Sequence, residues 1–205
     1  DSIDFSIKVM GYLMMIPIGF LMVFGVDFFH VWVPTQDARF LQGLSLLTLV
    51  PMVVTCSINT IFNVYTVTNK LKVPALMWVV FGVAYVATVI VMMRFTTMGI
   101  WSIPVASMVW GLIRNLTFTP VYAAHCLHLP WHTFYRAIIR GCICVVSVMV
   151  VSFAYHSVFP ADSWLLLIVA AAVCSIVAGA INLFVAFDGE DRRRFRQLVM
   201  NKLHR

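Results

Sequence analysis

The sequence predicts an all-α integral membrane protein, a bundle of about six transmembrane helices, and three observations carry that expectation. Apolar residues make up 62% of the 205-residue chain, charged residues only 11%, and mean hydropathy is +0.96. A soluble domain is nearer half apolar and a quarter charged, so this chain lacks the polar groups to cover a water-facing surface. Second, six stretches approach or exceed the roughly 20 apolar residues that cross a hydrocarbon core of about 30 Å. Third, these runs are unbroken. A membrane barrel would alternate over about ten residues per strand, whereas long runs pair their backbone groups internally as helices.

The six stretches are residues 9–26, 40–64, 73–93, 99–124, 137–159 and 164–187. Polar punctuation separates them at 34–37, 69–72, 94–97, 125–136 and 160–163. Together they form one unit, residues 1–187, followed by a basic tail at 188–205. In the tail Phe195, Leu198, Val199 and Leu203 recur at helical spacing among Arg192, Arg193, Arg194 and Arg196. That pattern fits a short amphipathic helix on an anionic cytoplasmic leaflet, and equally a simple positive anchor. The chain opens on Asp1 without a signal-peptide pattern, so it reads as an excerpt from the middle of a longer protein or as a processed product, and the excerpt is the reading taken.

Orientation follows from the short loops. Lys8, Lys70, Lys72, Arg136, Arg140, Arg192, Arg193, Arg194, Arg196, Lys202 and Arg205 fall on one side, which is 11 of the 14 Lys and Arg residues. Arg39 and Arg94 fall on the other, and Arg114 lies within a span. Both ends of the segment are therefore expected in the cytoplasm. Phe28, Phe29, Trp32 and Trp164 then form the outer aromatic belt, and Trp131 and Tyr135 the inner one. The net charge of +6 follows this membrane distribution, and no nucleic-acid partner is expected.

In lipid, the informative residues are the polar ones inside spans. Ser45, Thr48, Thr55, Asn59, Asn63 and Thr66 return to one face of the second span. The fourth span repeats the pattern with Ser107, Trp110, Arg114 and Thr117, and Asn115 lies beside them. Two accounts fit. Ser, Thr and Asn glue helices through hydrogen bonds of about 1 kcal/mol each, or the two spans line a watery path. Arg114 sharpens the second account, because an Arg within lipid costs at least about 2.5 kcal/mol. It sits about 15 Å from the cytoplasmic end of its span, and no Asp or Glu lies deep in any span to pair with it. Such a cation fits a cavity that receives an anion, or a partner elsewhere in a larger protein, or a side chain reaching back to the interface.

Pro17, Pro51 and Pro104 fall inside spans and are expected to bend them. Ala171, Ser175 and Gly179 give the last span a small-residue face for close packing. The five cysteines show no paired spacing and read as packing residues. His125, His128 and His132 share one loop but lack nearby carboxylates, so a basic interfacial loop is the reading there rather than a metal site. No phosphate loop, nucleophile elbow or Rossmann glycine pattern occurs. No cofactor and no enzymatic activity are expected.

The runs NTIFNVYTVTNKLKVPALMWVVFGVAYVATVIVMMRF (59–95) and GIWSIPVASMVWGLIRNLTFTPVYAAHCLHLPWHTFY (99–135) carry a family resemblance. The Asn-containing span, the NKLKVPAL re-entry, the span opening on Gly-Ile and the TPVYAAHCLHLPWHTFY segment resemble the second half of Wzx-type polysaccharide and O-antigen repeat-unit flippases, members of the multidrug/oligosaccharidyl-lipid/polysaccharide superfamily. The resemblance implies a transporter of 12 to 14 helices in two bundles, with this chain as the C-terminal one and an N-terminal transmembrane half as its partner. It implies a cargo too: an oligosaccharide repeat unit on an undecaprenyl pyrophosphate carrier, moved across the inner membrane by alternating access. Arg114, Asn59, Asn63, Thr55, Ser107, Asn115 and Thr117 are then the candidate substrate-cavity residues. A multidrug or peptidoglycan-precursor exporter of the same superfamily, or a membrane enzyme using the His125/His128/His132 cluster, are the alternatives.

Overall fold

The computed structural model describes residues 2–59, 61–161 and 163–186, so the basic tail and its boundary lie outside the described residues. Every regular element among the described residues is helical. Five helices are long and apolar enough to cross a membrane: α1 (Ser2–Trp32), α2 (Ala38–Ile58), α4 (Lys72–Phe95), α7 (Tyr135–His156) and α8 (Trp164–Ala186). The sixth span is composite. A 3₁₀ turn (Gly99–Trp101) leads into α5 (Ser102–Ile113), a π turn (Arg114–Phe118) and α6 (Thr119–Cys126) with no intervening loop. At about 1.5 Å per residue, α5 to α6 is about 37 Å long, enough for the hydrocarbon core. The protein is an all-α integral membrane bundle.

Two expectations about continuity change. The second span is not one helix: a turn at Asn59, where Phe62 N–H donates to the Asn59 carbonyl, separates α2 from the short α3 (Ile61–Val67). Pro17 and Pro51 do sit inside helices, but Pro104 lies in the first turn of α5, where a missing N–H breaks no helical bond. The helix starts follow ordinary rules. Asp37 caps α2, its carboxylate accepting from the N–H groups of Arg39 and Phe40 at 2.9 and 3.4 Å.

α1 packs against α2, α7 and α8, while α2 also meets α7 and α5, and α4 packs on α5. Glycine permits the closest approaches. A methyl group on Gly141 of α7 would lie 2.0 Å from the Ser57 hydroxyl of α2, and one on Gly19 of α1 would lie 2.8 Å from Val148 of α7. Between helices without a hydrophobic drive, such close packing is a main source of cohesion. On α8 the buried line runs through Ala170, Cys174 and Ala178, with Gly179 beside it, while Ala171 and Ser175 are half-buried. The small-residue face thus sits one position off the expected one. All five cysteines are free thiols.

The two ends of the bundle separate as the loop pattern requires. At one end Phe28 meets Trp164 at 5.9 Å and Trp32 at 5.4 Å, and Phe40 meets Trp101 at 5.3 Å. At the other, Val64 and Tyr65 of α3 share a core with Phe134 and Ile138 at the start of α7. Lys70, Lys72 and Arg136 are exposed at this second end. α4 is the outlier: of its residues only Pro74 is buried by the rest of the chain.

Candidate functional site

The π turn is the structural origin of the site. Pro120 has no N–H to offer the Leu116 carbonyl four residues earlier, and its ring crowds that turn. The helix widens there, and the Thr119 N–H reaches the Arg114 carbonyl instead, five residues back. The freed Leu116 carbonyl accepts from the Tyr135 hydroxyl at 2.5 Å. The Thr119 carbonyl accepts from the Tyr65 hydroxyl at 2.8 Å, and the Thr119 hydroxyl donates to the Arg114 carbonyl at 3.3 Å. Two tyrosines from α3 and α7 thus supply donors that lipid cannot. The sequence assigned Tyr135 only to the inner aromatic belt and singled out neither Tyr65 nor Pro120; a proline just after a mid-span polar pair is the signal that would have found them.

Arg114 opens the π turn, near the middle of the composite span. Its guanidinium carbon lies 4.6 Å from the centroid of the Trp78 ring of α4, and its Nε donates to Asn115 Oδ1 at 3.3 Å. Asn115 is buried and donates through Nδ2 to Thr55 Oγ1 of α2 at 2.6 Å. Thr55 in turn donates to the Pro51 carbonyl of its own helix at 2.9 Å. The chain Arg114–Asn115–Thr55 therefore ties the composite span to α2, and Trp78 ties it to α4.

A cation over Trp is worth from about 0.5 to about 2 kcal/mol, depending on how dry it is. That offsets only part of the cost of an Arg in lipid. A guanidinium has five N–H donors, and among the described residues only the Nε–H of Arg114 has a protein acceptor. The side chain is half-buried, and its other donors have no acceptor among the described residues. Aromatic rings border the site: Phe62 lies 5.9 Å from Trp78, and Phe81 lies 6.0 Å from Trp110 and 6.4 Å from Phe118. The Trp110 N–H donates to Thr88 of α4 at 2.9 Å. The third span, α4, is the neighbour of this stripe.

The structure brings together three of the seven candidate residues, Thr55, Arg114 and Asn115. Ser107 is exposed on α5, and Thr117 is exposed with its hydroxyl turned back to the Ile113 carbonyl at 2.6 Å. Asn59 is exposed at the α2–α3 turn. Asn63 lies on α3, and its side chain is outside the described residues. His125 ends α6, His128 sits in the turn that follows with a left-handed φ of 54°, and among the described residues no group of His, Cys, Asp or Glu is placed to hold a metal ion.

Sequence reasoning passed over two buried amides. Gln42 of α2 donates to the Leu21 and Met22 carbonyls of α1 at 3.2 and 3.0 Å, lying where any side chain on Gly25 would collide with it. Asn182 of α8 donates to the Cys144 carbonyl of α7 at 3.2 Å and accepts from the Ser147 hydroxyl. Both are helix glue of the ordinary membrane kind.

Comparison with known proteins gives one relative and no fold match. No family model matches the chain, and no solved structure matches it. Over 208 aligned residues the chain is 22% identical to the uncharacterized membrane protein EpsK of Bacillus subtilis (strain 168). The match covers 98% of this chain and 39% of that protein, so the chain spans about two-fifths of its relative's length.

Proposed function

We propose that this bundle is part of a bacterial inner-membrane transporter that flips an undecaprenyl-pyrophosphate-linked oligosaccharide by alternating access. The observation that carries the reading is Arg114: a mid-span cation, held by Trp78 and Asn115, with N–H donors that find no acceptor among the described residues and no carboxylate in the surrounding spans. A pyrophosphate supplies both the charge and the acceptors that this guanidinium lacks. The membrane-protein relative of greater length supports a larger assembly, in which the remaining part provides the second wall of the cavity. On this reading both ends of the segment face the cytoplasm, the protein is not an enzyme, and no cofactor takes part.

The aromatic border of Trp78, Phe81 and Trp110 also suits an exporter of apolar drugs or of a peptidoglycan lipid precursor. The cargo test is transport by the full-length protein in proteoliposomes. Replacement of Arg114 by Gln is expected to lower flipping of the pyrophosphate-linked glycan by about tenfold or more, the scale of one charge-assisted contact. Unchanged glycan flipping in that variant, or equal loss for a neutral drug, rejects the pyrophosphate role.

A further inference from the structure

Far from Arg114, one polar contact joins α1 to α7 near the end where α8 begins. His156 Nε2 lies 2.8 Å from Asp27 Oδ2, with the two side chains 36% and 19% exposed respectively. Asp27 does not sit at the end of its span, since α1 continues past it to Trp32. Beneath the pair lies an apolar floor. Phe24 is fully buried, stacks on Phe20 at 4.6 Å and presents itself edge-on to the His156 ring at 5.1 Å. Ala161, Leu167 and Ala170 complete that core.

We propose that the Asp27–His156 pair is a proton-binding site that clasps α1 to α7 when the imidazole is protonated and loosens them when it is not. Imidazole is the side chain that changes charge between about pH 5 and 8. Protonated, it gives a charge-assisted bond to the carboxylate in a partly dry setting, where salt screens less than at an open surface. Deprotonated, the same contact keeps at most a bond between a neutral ring and an anion, and the carboxylate loses its counter-charge. Few other described groups compete. His30 and Arg39 are exposed, and the Asp37 carboxylate is engaged in capping α2. Tyr155 packs toward Phe24 at 6.3 Å, and α8 offers only Cys174, buried deeper in the same core.

Both clasped helices also pack on α2, the helix that carries Thr55, so release at this end reaches the element contacting Asn115. The inference does not depend on the identity of any cargo. The test uses the full-length protein in lipid nanodiscs, with native cysteines replaced and spin labels at Val33→Cys and Ser157→Cys. Distances are measured by electron paramagnetic resonance at about pH 5.5 and about pH 8.5, to either side of the imidazole range. A single short distance in acid, joined by a longer population in base, is expected in the wild type. His156→Gln removes the group that gains the proton and Asp27→Asn removes its counter-charge, while each keeps a hydrogen-bonding group, and each is expected to abolish the response. A pH-invariant distance in the wild type overturns the proposal without any variant. So does an unchanged pH response in His156→Gln.

Discussion

The Tyr135 hydroxyl donates to the Leu116 carbonyl at 2.5 Å, the acceptor that Pro120 leaves without a backbone partner. A side chain from the start of α7 thereby holds open the π turn that begins at Arg114. The arrangement converts a proline defect into a fixed position for a mid-span cation.

Removing that hydroxyl in Tyr135→Phe is expected to destabilise the bundle by about 1 kcal/mol, the scale of a hydrogen bond within a membrane protein. Pro120→Ala restores an N–H that can reach Leu116. In that background the tyrosine substitution is expected to cost little, and a denaturation cycle over the four variants measures the coupling. Additive effects would mean that Tyr135 and Pro120 do not act on the same carbonyl.

Asn115 is buried and bonded to Thr55 on another helix, whereas Ser107 and Thr117 are exposed. Asn115→Ala is therefore expected to cost about 1–3 kcal/mol, because it leaves the Arg114 Nε and the Thr55 hydroxyl short of a partner. Ser107→Ala and Thr117→Ala are expected to stay within about 0.5 kcal/mol. Thermal unfolding in one detergent compares the three directly.

Gly141 faces Ser57 so closely that an added methyl group would lie 2.0 Å from the hydroxyl oxygen. Gly141→Ala is expected to cost about 1–3 kcal/mol through overpacking. Adding Ser57→Ala removes that oxygen and leaves the nearest atoms, the Met15 methyl carbon and the Cβ of residue 57, at 3.2 Å. Partial recovery in the double variant is the expected outcome, read by the same unfolding measurement.

Much of this was legible in the sequence, and the limits have a physical cause. Span length and apolarity set five helices directly, and the aromatic residues Phe28, Trp32 and Trp164, assigned to one belt, do meet. Arg114 stood out because a charge in lipid is costly wherever it points. Its neighbours did not. Helical periodicity gives a residue its face but not what lies opposite, so Trp78 on α4 went unseen. Gln42 and Asn182 went unseen for the same reason, each donating to backbone carbonyls of a neighbouring helix. Asp27 fell just outside the apolar stretch 9–26, and its partner His156 lies far along the chain, so the pair could not be read from either residue alone.

The central claim is that Arg114 faces a space water can reach, and thiol labelling of the full-length protein tests it most directly. With native cysteines replaced, Arg114→Cys is expected to react with a charged, membrane-impermeant maleimide. Ile176→Cys, 73% exposed on α8 but surrounded by apolar residues, is expected to resist it. Protection of both positions alike would contradict the account and leave Arg114 as a cation stacked on Trp78 within a sealed bundle.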